Sequence, residues 1–172
     1  MSTRRVKCAW HEAAHVVVAV RLGRHVESVS LDPATGAGVT VAEPLAPDAS
    51  PGEIERALVV ALAGREGERW VPELPSRASE NGRDDPYFSA QELAAMVATE
   101  ESAERPTDEE AVEHYRKSIG DEAIERARTL AAELVERSAV VGQLEVVADA
   151  LLLHAHLDAR DLEAILDAPA SA

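Results

Sequence analysis

The stretch "CAWHEAAHVVVAV", from Cys8 to Val20, places His11, Glu12 and His15 inside a run that is otherwise almost wholly apolar. Trp10, Ala13, Val16, Val17, Val18 and Val20 cover every side of a helical wheel, so a helix here is buried on most faces and Glu12 has little access to a wet stripe. A carboxylate held away from water costs several kcal/mol unless it is paired, hydrogen-bonded or beside a metal. Residues four apart in a helix differ by about 40° and one turn, so His11 and His15 project from one face and can share a small cation. Neutral imidazole suits zinc, and Glu12, rotated by about 100° from His11, lies beside the open position rather than at the same vertex. There it serves as the general base that takes a proton from metal-bound water and returns it to the leaving amine. The competing reading is two core histidines satisfied by backbone carbonyls, with Glu12 paired to an arginine.

A catalytic zinc needs a third protein ligand while keeping one position for water. The segment after His15 is "VVVAVRLGRH", in which His25 falls beyond Gly23 in the wrong phase. Two acidic sources remain: Asp84 and Asp85 in "RDDP", and Glu66 and Glu68 in "GREGERW". Periodicity does not choose between them. Cys8, three residues before His11, reads as a small buried hydrophobe. His154 and His156, two apart, point to opposite sides of a helix and read as surface or capping residues, and Trp70 reads as core packing.

The elements that must carry these residues follow from pattern and punctuation. A first helix runs from about Arg4 to Leu22 and closes at Gly23 in a left-handed turn. "HVESVSLDPATGAGVTVAEP" has β-branched residues on both sides of a Pro/Gly turn and reads as a hairpin, Val26 to Leu31 and Gly38 to Ala42. Ser50, Pro51 and Glu53 form a capping box with proline at the first helical position, ahead of Ile54, Ala57, Leu58, Ala61 and Leu62 at helical spacing. "PELPSRASENGRDDP" is a long irregular segment and a candidate site wall. Helices follow over Ser89 to Thr99, from the Thr107/Glu110 capping pair to Gly120, and through a long region from Asp121. A short last helix, "DARDLEAIL", takes Asp158 as its N-cap. The expected fold class is mainly α (α+β), a helical domain with a small N-terminal β-hairpin or sheet and a helical C-terminal bundle.

The 172 residues suit one domain, 1–172, with the metal-site core in 1–100 and a helical part in 101–172. One cysteine excludes an intrachain disulfide framework and a zinc knuckle, in keeping with a reducing compartment. No stretch approaches the roughly 20 apolar residues of a membrane span, and no leader pattern precedes the first helix, so a soluble cytoplasmic protein is expected. With 17 Lys plus Arg against 32 Asp plus Glu, the net charge of −15 repels phosphate backbones and anionic lipid, which argues against nucleic-acid and membrane partners.

The chain resembles the peptidase domain of FtsH, the membrane-anchored AAA+ zinc protease. "AWHEAAHVVVA" is similar to that family's metal helix, "ALAGREGERW" to its second signature, an apolar helix ending in "GR" with a Glu shortly after, and "LLLHAHLDARDLEAIL" to its ending. The order of hairpin, second helix, loop and helical tail also matches. The resemblance implies Zn2+ held by His11 and His15, Glu12 as general base, and a third ligand that is an Asp at the start of the helix after the long loop. Counting back from Met96 and Val97 puts that Asp at Asp85, with Asp84 the runner-up; Glu68 matches the signature Glu and takes a supporting role. Pro86 after Asp85 departs from the family pattern. The chain carries no P-loop, AAA+ module or transmembrane segment, so the expected activity is a zinc-dependent endopeptidase acting without ATP on unfolded or flexible polypeptide. A separate ATPase or adaptor would be its delivery partner. The resemblance also implies ring-forming homo-oligomers, a state that the negative charge and the lack of an ATPase ring leave open. The alternative is a catalytically inactive zinc-binding or protein-interaction domain of the same fold, against which an intact Glu12 argues.

Overall fold

The structure, a computed structural model, describes residues 3–32, 34–72 and 107–167. Among them are six α-helices and one antiparallel sheet: α1 (Thr3–Arg21), β1 (Val26–Leu31), β2 (Gly38–Ala42), α2 (Pro51–Gly67), α3 (Asp108–Ile119), α4 (Asp121–Val135), α5 (Ser138–His154), β3 (His156–Asp158) and α6 (Ala159–Asp167). The chain is therefore mainly helical with a small sheet. None of these helices is long and apolar enough to cross a membrane.

The apolar run of α1 makes it the central element. It packs most extensively on α2 and α5, while α4 packs extensively on α2 in turn. Ala9, Ala13, Ala14, Val16, Val18 and Ala19 are fully buried, which is why this helix could not present a wet stripe. It ends as its sequence indicates, with Gly23 at φ 73°, a left-handed conformation that glycine adopts without steric cost. At its other end the buried Arg5 donates from Nη2 to the carbonyl of Leu152 at 3.1 Å, satisfying a C-terminal carbonyl of α5.

The hairpin has the expected strands, with Leu31 opposite Gly38 and Val29 opposite Thr40. Asp32 fixes its turn by accepting from the Ala34 and Thr35 amides and the Thr35 hydroxyl. The strand order is β2-β1-β3, so among the described residues β2 is an edge strand, and it lies beside α1. Both anticipated capping boxes are present, Ser50 with Glu53 ahead of α2 and Thr107 with Glu110 ahead of α3. Asp158 caps α6 by accepting from the amides of Arg160 and Asp161.

Four expectations need adjustment. The helical region from Asp121 is two helices, broken at Glu136 and Arg137. The third strand was not anticipated; the chain enters it through Ala155, which stands at φ 61° where glycine would ordinarily signal the turn. The buried set of α2 is Ala57, Leu58, Val59, Val60, Ala63, Gly64 and Gly67, wider than the spacing of Ile54, Ala61 and Leu62 suggested, because both α1 and α4 pack extensively on it. Trp70, expected in the core, is 39% exposed at the end of a single 3-10 turn, Glu68–Trp70, that follows α2. The loop after Pro72 and the helix expected over Ser89 to Thr99 lie outside the described residues.

Candidate metal centre

One turn of α1 separates His11 from His15, and their rings meet edge to face with centroids 4.7 Å apart. Both Nε2 atoms converge on one carboxylate oxygen. Asp108 Oδ2 lies 2.9 Å from His11 Nε2 and 3.2 Å from His15 Nε2. On the far side of each ring a second acceptor waits: Glu68 Oε1 is 2.9 Å from His11 Nδ1, and the Val60 carbonyl is 2.7 Å from His15 Nδ1. Asp108 is the first residue of α3, held at the site by the Thr107 capping box, and Glu68 and Val60 belong to the end and middle of the α2 segment. His15 is buried and His11 partly so.

The proton count at this cluster is informative. A neutral imidazole carries one N–H and one lone pair, yet each ring here faces an oxygen acceptor at both nitrogens. Without a cation, and with Asp108 ionised, satisfying all four contacts takes a proton on every ring nitrogen, which would make both rings imidazolium. Burial alone would push His11 down, but the Asp108 and Glu68 carboxylates outweigh it and hold it up at about 9. His15 is likewise opposed by burial and held above its ordinary value by Asp108. Burial would raise Asp108, and its hydrogen bonds to His11 and His15 reverse this, keeping its carboxyl far below the usual carboxylate range. Two cationic rings in edge contact repel each other; one divalent cation in place of the two Nε2 protons removes that conflict and leaves each Nδ1–H donating to its own acceptor.

The space also suits such an ion. His11, His15 and Asp108 each offer one atom, and these atoms all lie within 4.8 Å of one another. A Cβ on Gly64 would overlap His11 Nε2 and fall 2.6 Å from both His11 Cε1 and His15 Nε2. The missing side chain thus lets the α2 backbone come up against both Nε2 atoms, an approach that any side chain at position 64 would block. Gly67, one helical turn on, allows the same close approach: a Cβ there would lie 2.7 Å from the Trp10 carbonyl oxygen and overlap Ala14 Cβ.

Glu12 is only 6% exposed, and its partner is a hydroxyl rather than an arginine: Thr40 Oγ1 donates to Glu12 Oε2 at 2.7 Å. Cys8 is half-buried against the core, and burial, reinforced by Glu12 and Glu68, pushes its thiol up to about 12, which keeps it protonated.

Of the residues singled out in the sequence, the structure brings together His11, His15, Glu12 and Glu68. Asp84 and Asp85 lie outside the described residues. The carboxylate found between the imidazoles, Asp108, went unnoticed because "TDEE" already had an explanation as a capping box with acids in the first turn, where the helix dipole favours them. Thr40 gave no signal in sequence, and Gly64 entered only as part of the "ALAGREGERW" likeness. No protein-family model matches the chain, and no curated protein matches it significantly.

Proposed function

We propose that this chain is a zinc-dependent metallopeptidase in which His11, His15 and Asp108 hold the metal and Glu12 is the general base. The observation that carries the reading is the gathering of two imidazole Nε2 atoms and one carboxylate oxygen within 4.8 Å of one another, beside a buried Glu. Zinc bound there would polarise the peptide carbonyl and lower the pKa of water. The chain's own groups do the rest. The Val60 carbonyl and Glu68 carboxylate accept the Nδ1 protons of His15 and His11, which fixes each ring in the tautomer that presents a lone pair at Nε2. Glu12 takes a proton from the attacking water and delivers it to the departing amine. An extended substrate segment pairs along β2, which has no strand neighbour on its outer side among the described residues and exposes Val39. Folded segments cannot present such a strand, so unfolded or flexible polypeptide is the substrate class.

Glu12→Gln tests this reading. Cleavage of an unfolded protein substrate by the zinc-loaded wild type, abolished in Glu12→Gln with zinc content unchanged, is the expected result. Wild-type protein that binds zinc and cleaves no unfolded or peptide substrate would instead favour an inactive zinc-binding domain.

A further inference from the structure

We infer that Thr40, together with Gly38, positions the Glu12 carboxylate for proton transfer, so that the edge strand β2 sets the aim of the base; this rests on the peptidase reading above. Gly38 and Thr40 are two residues apart on β2 and so share one strand face, opposite the buried residues Leu31 and Val29. That face meets α1. The Thr40 hydroxyl has one proton, and it goes to Glu12 Oε2 at 2.7 Å. The other carboxylate oxygen is governed by Gly38: a Cβ there would lie 2.6 Å from Glu12 Oε1 and 2.7 Å from its Cδ. One residue therefore holds Oε2 by a donated hydrogen bond, and the other leaves clear the room in which Oε1 and Cδ sit.

A general base acts through a specific lone pair, so its rate contribution depends on where that oxygen points as well as on its basicity. A buried carboxylate on a side chain with three rotatable bonds has little to fix it unless a neighbour does. Thr40 supplies that fixation without a charge. An arginine in its place would neutralise the base, whereas a hydroxyl orients it and leaves it free to accept a proton.

Thr40→Val keeps the shape and removes the donor; Thr40→Ser keeps the donor and removes a methyl. Two readouts separate orientation from fold and from metal loading. The first is the Glu12 carboxylate stretch in infrared difference spectra, assigned with Glu12→Gln, which reports the hydrogen bond whether or not turnover occurs. The second is kcat against KM on an unfolded substrate at unchanged zinc content. The expected result is a shifted carboxylate band and a kcat lower by about tenfold or more in Thr40→Val, with KM little changed and both restored in Thr40→Ser. Gly38→Ala should lower kcat in the same way by displacing the carboxylate. An unchanged band in Thr40→Val, or a shifted band with unchanged kcat, would overturn the inference. Absence of cleavage by wild-type protein would fail the peptidase reading, and the band would still decide whether Thr40 holds the carboxylate.

Discussion

The two halves of α1 are packed by different rules. From Val16 to Ala19 each side chain is at most 1% exposed and belongs to the apolar core. From His11 to His15 the same helix meets its neighbours through polar atoms with assigned partners: Glu68, Asp108, Val60 and Thr40. Glycines stand where those partners' elements come closest, Gly64 against the imidazoles and Gly38 against Glu12. The first half needs only apolar volume, which several residues can supply. The second needs particular atoms at particular points, and a single added methyl group is enough to disturb it. Stability and site integrity should therefore separate along one helix.

The sharpest break should come from Gly64→Ala. Its Cβ would take the space shared by both Nε2 atoms, so zinc affinity, measured by chelator competition, should fall by about 100-fold or more. In the other half, Val17→Ala should destabilise the fold by about 2 kcal/mol in denaturant titration while leaving zinc per folded chain unchanged.

Acidity offers a second way to divide the halves, because the core half has nothing to titrate. With His11 raised from 6.5 to about 9 by its two carboxylates, the metal-free fold gains stability that is fully present below about pH 6.5 and is lost as pH rises through about 9. Zinc competes with those same protons, so its affinity should rise across that window. Chemical denaturation of metal-free and zinc-loaded protein at pH 6, 7.5 and 9 checks both slopes, and the stabilisation by zinc should be greatest at the alkaline end. A metal-free fold whose stability is flat from pH 6.5 to 9 would mean that the carboxylates do not hold protons on the rings.

The smallest effects should come from the two capping boxes, which are alike in form and differ in what they carry. Ser50→Ala and Thr107→Ala should each cost about 1 kcal/mol of stability. Only Thr107→Ala should also weaken zinc binding, by severalfold, since the turn it secures presents Asp108. Equal zinc affinities in the two variants would show that the cap and the ligand are independent.

Much of this arrangement was legible in the sequence because it is local. The Gly23 stop, both hairpin strands and both capping boxes are written in residues within a few positions of one another. The spacing of His11 and His15 on one face is equally local. What joins distant segments was not legible: Asp108 lies 97 residues from His11, and no periodicity links them. Its role was masked by a sufficient local explanation, the helix cap. Thr40 is an ordinary strand residue until β2 is laid against α1. Gly64 was noticed only as part of the "GR" that ends an apolar helix, because the sequence does not show that two imidazoles approach it. The third strand escaped for a different reason, since Ala155 takes the left-handed turn that glycine usually marks.

The most direct test of the site is zinc content and affinity in natively purified wild type, Asp108→Ala and Asp85→Ala. The account predicts about one zinc per chain in the wild type and in Asp85→Ala, with affinity reduced by about 100-fold in Asp108→Ala. Zinc lost in Asp85→Ala and retained in Asp108→Ala, or a wild type that takes up no zinc when it is supplied, would contradict it.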